Sequence, residues 1–203
     1  MRGVEQIPWV YDAMMAVMDW TGLKRWRAWL AGGATGRTLE VGCGTGRNLP
    51  LYPDGVTLFA CEPAKDTLAK AKKNDPDALL VRASAEALPF RPGVFDTVVS
   101  SLVFCSVPRP EVGLAEVKRV LAADGQLRMM EHVRSEGRFA GWWQDTIQPA
   151  WTCVAGGCHP NRRTLATVEA AGFVIQPEGR RSDGILRRFV ARPSKGDAQS
   201  HAD

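Results

Sequence analysis

The sequence predicts an α/β fold: a doubly wound, mostly parallel sheet of seven strands that ends in an antiparallel strand pair. Three observations predict it. Short β-branched and apolar runs alternate with helical patterns along most of the chain, the signature of strand–helix–strand units. The stretch Thr38 to Asn48, TLEVGCGTGRN, reads as a parallel strand running through an acid into a tight glycine turn and then a helix start. The last two extended runs follow one another with no helical pattern between them.

The size suits this reading. At 203 residues, with 45% hydrophobic and 24% charged residues, the chain fits one α/β domain with a sizeable core. We divide it into an N-terminal helical lid at 1–33, a main domain at 34–193 with a Trp-rich insertion at 134–158, and a polar, frayed tail at 194–203. The net charge of +4 is modest. Basic residues are scattered apart from Lys24, Arg25 and Arg27 near the start and Arg180, Arg181, Arg187 and Arg188 near the end, so no nucleic-acid partner is expected. Five cysteines, Cys43, Cys61, Cys105, Cys153 and Cys158, are odd in number, mostly far apart and not preceded by a signal-type apolar region. Reduced thiols and a cytoplasmic location are the expectation. No run approaches the ~20 apolar residues of a spanning helix.

Residues 8–31 read as two amphipathic helices broken near Thr21 and Gly22, with Tyr11, Met14, Met15 and Met18 on one stripe and Leu23, Trp26 and Leu30 on another. Two readings stand for them: packing on the domain to close its pocket, or peripheral contact with a bilayer through Trp9, Trp20, Trp26 and Trp29. After the first strand, Gly42, Gly44 and Gly46 form a floor on which a ligand can approach the backbone. Their G-x-G-x-G spacing differs from the G-x-G-x-x-G dinucleotide fingerprint, and Glu40 just ahead suits an amino group better than phosphates. Pro50 and Pro53 keep the following helix short.

The second strand, Val56 to Glu62, ends in an acid at the separation where a carboxylate reaches a ribose diol. A helix from Pro63 to Asn74, a strand from Ala78 to Ala83 and the loop from Ser84 to Phe90 follow. Phe95 to Val103, FDTVVSSLV, is apolar enough to be a central strand covered on both faces. A helix from Pro110 to Leu121 has proline at its first position, and the next strand, Gln126 to Val133, carries Glu131 and His132 at its end. The insertion reads as a helix stopped before Pro149 and then a loop; a last helix from Asn161 to Ala171 precedes the strand pair Phe173–Glu178 and Ile185–Arg192. Ligands of such sheets lie over the carboxyl strand ends, which gathers the glycine turn, Glu62, Ser84 to Glu86, Ser101 to Cys105, Glu131 and His132.

With Glu40, the three glycines and Glu62 in place, followed by AEALPF and FDTVVSSLVF, the chain resembles the class I methyltransferases that use S-adenosylmethionine, over about residues 37–192. The resemblance implies a Rossmann-like sheet and S-adenosylmethionine as cofactor. It places Glu40 near the methionine amino end, Gly42 and Gly44 with Cys43 along the methionine moiety, and Glu62 on the ribose hydroxyls. Gly46, Asn48 and Pro63 fall beside these, and Ser101 and Leu102 at the end of the fourth strand. Ser84, Ala85 and Glu86 fall in the adenine loop, where the family usually has aspartate at the place of Ser84. LVFCSV, MEHVRSEG and WWQDTIQPAW with GGC are similar to the group that includes alkyl-thiol methyltransferases of animals. Those carry an apolar N-terminal anchor where this sequence has the amphipathic Trp-rich segment, so membrane residence is not expected to carry over.

Methyl transfer from a sulfonium is an in-line displacement that needs positioning rather than a nucleophilic side chain. The acceptor pocket is expected from Tyr11, Phe104, Cys105, His132, Trp142 and Trp143, and Trp151 could also wall off water. His132 is the candidate general base or acceptor-orienting group, with a strand-end histidine bonded to backbone as the plain alternative. Glu131 is expected to hold that histidine or a helix start, and Asp145 is a further candidate from the insertion. Cys105 is expected to be a buried, inert thiol, and Cys153, Cys158 and His159 lack the paired-cysteine spacing of a metal site, so no metal is expected. The leading acceptor is a small, fairly apolar thiol. Alternatives are a phospholipid or other amine, a quinone-type ring carbon or hydroxyl, a non-catalytic cofactor-binding module acting through a partner, and, more distantly, a nicotinamide oxidoreductase. Oligomeric state is not legible.

Overall fold

The structure, a computed structural model, describes residues 22–75, 77–154 and 157–194. Tyr11, the first of the two expected N-terminal helices and the tail beyond Ser194 lie outside the described residues.

In chain order the elements are α1 (Lys24–Gly32), β1 (Arg37–Val41), a 3-10 turn (Leu49–Leu51), β2 (Thr57–Cys61), α2 (Lys65–Asn74), β3 (Leu79–Val81), β4 (Phe95–Ser101), α3 (Pro110–Val120), β5 (Leu121–His132), α4 (Arg138–Val154), α5 (Thr164–Ala170), β6 (Phe173–Asp183) and β7 (Leu186–Pro193). The seven strands form one sheet in the order β3-β2-β1-β4-β5-β7-β6. β1 through β5 pair in parallel, whereas β7 runs antiparallel to both β5 and β6. The chain therefore reverses its direction of winding between β1 and β4, which opens a crevice at the carboxyl ends of those two strands.

Strand alternation divides the core. Leu39, Val98, Leu127 and Phe189 meet Leu114 and Val117 of α3 and Val168 of α5 in one cluster, while Val99 and Met130, one residue along, meet Leu23, Trp26 and Leu30 of α1 in another. A third cluster packs Leu49 and Ala60 on Ala71 of α2. α1 is also clamped by charge. Arg128 of β5 donates to the carbonyls of Leu30 (2.8 Å) and Trp29 (2.6 Å) at the end of α1, and its guanidinium lies 4.4 Å from the Trp29 ring centroid. A Cβ at Gly33 would stand 2.2 Å from that guanidinium, so a side chain there would push Arg128 out of this clamp.

The structure corrects several expected boundaries. A single 3-10 turn replaces the short helix after the glycine turn, since three positive-φ glycines and then Pro50 leave no stretch able to build α-helical bonds. α4 passes through Pro149 instead of stopping before it. The amide bond lost there is offset by anchors on both sides: Gln144 donates to the carbonyls of Val133 (3.2 Å) and Pro160 (3.1 Å), and the Thr152 hydroxyl donates to the Cys158 carbonyl (3.1 Å). β6 continues beyond Glu178 through a register shift between Gln176 and Arg181, a bulge spanning Pro177 and Gly179. Gly179 has φ +81°, and its Cβ would stand 2.8 Å from the Trp29 ring, so the bulge lets β6 pass over α1.

Candidate active site

The glycine turn joins β1 to the 3-10 turn with Gly42, Gly44 and Gly46 all at positive φ (66°, 56° and 85°). Their surroundings differ. A Cβ on Gly42 would stand 2.6 Å from Val103, and one on Gly46 2.9 Å from Leu49 and 3.0 Å from the Ala71 backbone, so these two are small because neighbouring segments press on them. Gly44 has no heavy atom within 4 Å of the same position and faces open space. Its N–H donates to Glu62 Oε2 at 3.2 Å, and Ala64 N–H donates to Glu62 Oε1 at 3.0 Å, which fixes the half-buried Glu62 carboxylate beside the turn. Pro63, exposed, takes part through its carbonyl, which accepts from Arg82 Nε at 3.0 Å. The Cys43 thiol is buried and pushed well above its usual range by burial and by Glu40 and Glu62.

Glu40 is 1% exposed in β1 and supports a chain of side chains. Asn48 Nδ2 donates to Glu40 Oε1 (2.7 Å), and Tyr52 donates to Glu40 Oε2 (3.0 Å). Arg27 of α1 donates to Asn48 Oδ1 (2.9 Å) and reaches Ser101 Oγ (3.5 Å). Burial pushes the Glu40 carboxyl up to about 7 against the lowering pull of Asn48, Tyr52 and the Arg27 charge. Arg27, Glu40, Gly42, Gly44, Asn48 and Ser101 line a narrow cleft. Arg27 and Tyr52 were not singled out from the sequence: their partners lie 21 and 12 residues away, and no local spacing records such pairs. A roomier depression at the opposite, amino edge of the sheet, lined by Thr35, Asp96, Asp124 and Gln126, holds none of these groups.

Ser84, Ala85 and Glu86 form a compact turn in which Ser84 Oγ accepts from Glu86 N–H (3.3 Å). Glu86 Oε1 accepts from Arg109 N–H (2.9 Å) and Nε (3.1 Å), fastening this turn to the start of α3. Leu102, just past β4, has φ 59°, the lone non-glycine at positive φ among the described residues. Such backbone costs of order 1–3 kcal/mol. It redirects the chain so that the buried Glu131 carboxylate collects the N–H groups of Val103 (2.9 Å), Phe104 (3.0 Å) and Cys105 (3.3 Å) and the Ser100 hydroxyl (3.1 Å). Glu131 thus holds this loop rather than a histidine or a helix start.

The expected acceptor residues separate. Phe104 is 1% exposed in the core against Gly113 of α3, which leaves its ring no free face. Trp142 and Trp143 lie on the outer side of α4, 57% and 53% exposed. Asp145 pairs with Arg134 at 2.8 Å and accepts from Asn161 at 3.0 Å, a surface tie for α4. His132, half-buried at the end of β5, has Nδ1 3.9 Å from Cys158 Sγ, and Cys105 joins them so that the three ligand-type atoms lie within 4.8 Å of one another. The proximity of the two thiols raises that of Cys105, which burial raises further, and lowers that of Cys158, with His132 and Trp151 adding to the lowering. His159 is elsewhere engaged, its Nδ1 2.6 Å from the Gly157 carbonyl. The sequence could not show this cluster, because its members come from the loop after β4, the end of β5 and the turn after α4.

Residues 39–129 match the family described as "Methyltransferase domain". The fold agrees: a structure titled as an S-adenosylmethionine-dependent methyltransferase, possible histamine N-methyltransferase, from Thermotoga maritima superposes with a TM-score of 0.73 at 21% identity, covering 93% of this chain and 97% of that one. Residues 39–129 thus carry a methyltransferase domain, and the fold around them is the one shared with that S-adenosylmethionine-dependent structure. The chain is 34% identical over 151 residues to the human "Thiol S-methyltransferase TMT1B", covering 70% of this chain and 62% of the relative. It is also 35% identical over 112 residues to the "Phosphatidylethanolamine N-methyltransferase" of Cereibacter sphaeroides, covering 52% of this chain and 55% of that relative. The chain thus spans less than two thirds of the length of these two curated relatives.

Proposed function

We propose that this protein transfers a methyl group from S-adenosylmethionine to the sulfur of a small, fairly apolar thiol. The observation that carries this reading is the alignment with the human thiol S-methyltransferase, whose 151 residues reach beyond the matched domain at 39–129 and so include part of the chain outside the donor-binding core.

The cleft residues fit the donor. Gly44 offers an open backbone face, Glu40 a buried carboxylate for an ammonium group, and Glu62 a fixed acceptor pair for a diol. In this reading Glu40, Gly42, Cys43, Gly44, Gly46 and Asn48 surround the methionine portion, with Ser101 and Leu102 closing it from β4. Glu62 and Pro63 take the ribose, and Ser84, Ala85 and Glu86 border the adenine. The donor supplies an electrophilic methyl on a sulfonium. The chain's own part is to hold the acceptor in line with it and exclude water. A thiol has a pKa of about 8.5 and needs little help to ionise beside a cation, so His132 suffices as an orienting group.

Purified protein incubated with S-adenosylmethionine and a panel of alkyl thiol, primary amine and phenol should methylate the thiol. Turnover of the amine with the thiol untouched would replace this reading with N-methylation, which the similarity to a phosphatidylethanolamine N-methyltransferase favours and for which the exposed Phe139, Trp142 and Trp143 offer an apolar surface. Among the described residues no helix is long and apolar enough to cross a membrane.

A further inference from the structure

Cys105, His132 and Cys158 meet where three separate segments converge, and each presents one ligand atom to the same small volume. The Nδ1 of His132 stands 3.9 Å from Cys158 Sγ, and all three atoms lie within 4.8 Å of one another. Tetrahedral zinc, with sulfur at about 2.3 Å and nitrogen at about 2.0–2.1 Å, separates its ligand atoms by roughly 3.5–3.8 Å. The cluster is therefore within about 1 Å of a zinc-holding geometry.

The surroundings make this arrangement rigid. Cys105 N–H donates to the buried Glu131 carboxylate at 3.3 Å, and the Cys105 carbonyl accepts from His159 N–H at 2.8 Å, which ties the loop bearing Cys105 to the turn bearing Cys158. Arg162 spans the same two segments, donating to the carbonyls of Phe104 and Val107 (2.7 Å to the latter). The Thr152 hydroxyl holds the Cys158 carbonyl to α4 at 3.1 Å. Such bonded frames behind potential ligands are what a metal centre requires of its support.

We propose that Cys105, His132 and Cys158 form a three-ligand zinc site whose fourth position takes the thiolate of the methyl acceptor. Two thiolates and an imidazole select a soft or borderline ion such as zinc over magnesium or calcium, and three protein ligands leave the open position of a catalytic zinc rather than the closed shell of a structural one. Location supports the pairing with the donor cleft. Cys105 follows β4 and His132 ends β5, both at the carboxyl edge of the sheet, and Val103, two residues before Cys105, packs directly on Gly42 of the glycine turn.

The assignment of the fourth ligand rests on the thiol reading above. On binding, the acceptor thiol gives its proton to solvent. The sulfur lone pair then forms the new bond to the methyl carbon while the bond from that carbon to the sulfonium breaks, its electron pair staying on the donor sulfur. An anionic thiolate and a cationic donor become a neutral thioether and S-adenosylhomocysteine, so atoms and charge balance.

The test is zinc and cobalt binding by the full chain, stripped with a chelator and kept reduced with a phosphine. Competition against a chromogenic chelator should find one equivalent of zinc per chain, with affinity falling at least about ten-fold in Cys158→Ser and in His132→Gln. His132 is half-exposed, so its variant tests the site even if the buried cysteine variant fails to fold. Cobalt should give the spectrum of a tetrahedral thiolate site, and an added alkyl thiol should change it. Failure to retain zinc, equal retention in both variants, or a Cys105–Cys158 disulfide as the sole response of the cluster would overturn the site. A cobalt spectrum indifferent to thiol would overturn the fourth-ligand assignment. The two readings separate: zinc bound by an enzyme that methylates amines but not thiols sinks the thiol reading and keeps the metal, whereas thiol methylation by metal-free protein does the reverse.

Discussion

Burial raises the Glu40 carboxyl to about 7, so in the free protein it keeps its proton where an unfolded chain, with a value near 4.5, has lost it. The sign follows: folding is favoured by this group below about pH 4.5, and that contribution disappears as pH rises through 7, a change of roughly 3 kcal/mol. An ammonium group placed beside Glu40 favours the ionised form and reverses the preference. Donor binding should therefore release a proton at pH 6 and tighten as pH rises to about 7, then level off. Calorimetry in buffers of different ionisation enthalpy reads the proton directly, and Glu40→Gln should abolish both the release and the pH dependence. The glycines of the neighbouring turn give a second contrast. Gly44→Ala, with open space before it, should weaken donor binding while costing only the ~1–2 kcal/mol of a left-handed backbone. Gly46→Ala drives a methyl into the Ala71 backbone and should lower the melting temperature more than Gly44→Ala does. Equal melting temperatures for the two would show that the turn relaxes freely.

Among the elements, α1 connects stability to the cleft. Arg128 bonds two carbonyls at the end of α1 and lies over Trp29, and the Arg188 guanidinium lies 4.3 Å from the same ring centroid. Replacing a buried, charged, doubly bonded group by Met should cost about 2–4 kcal/mol, read as a shift of the denaturation midpoint. Because α1 also carries Arg27 to Asn48 and Ser101, Arg128→Met should weaken donor binding as well. Unchanged donor affinity in a destabilised Arg128→Met protein would separate α1 from the cleft. What the sequence made legible at this scale follows local periodicity. The buried run 95–101 is the central β4, Pro110 opens α3, and the last two runs pair antiparallel. What it hid depends on distant partners. Nothing near Pro149 announces that Gln144 and Thr152 are pinned to residues beyond the helix, and nothing near Arg128 announces Trp29.

Across the molecule, two clusters share one edge of the sheet but arise in different parts of it. The glycine turn, Glu40 and Glu62 belong to β1 and β2, and the order of residues along one short stretch exposed them to sequence reading. Cys105, His132 and Cys158 belong to the loop after β4, the end of β5 and the turn after α4, and only the closed sheet brings them together. That division predicts independent behaviour. A donor that binds only the folded state raises stability by about 2.7 kcal/mol at a hundred times its dissociation constant. For a chain of 203 residues this is a melting shift of roughly 5–10 °C. Differential scanning with S-adenosylmethionine should show that shift in the native protein, keep it in Cys158→Ser and largely lose it in Glu62→Ala, whose loss frees the Gly44 and Ala64 N–H groups and removes the acceptors proposed for the ribose. The Cys158 variant should instead lose the additional shift that zinc confers on the native chain. If the donor shift vanished with Cys158 and survived without Glu62, the two clusters would be one cooperative site, and the loop that packs Val103 on Gly42 would be the coupling between them.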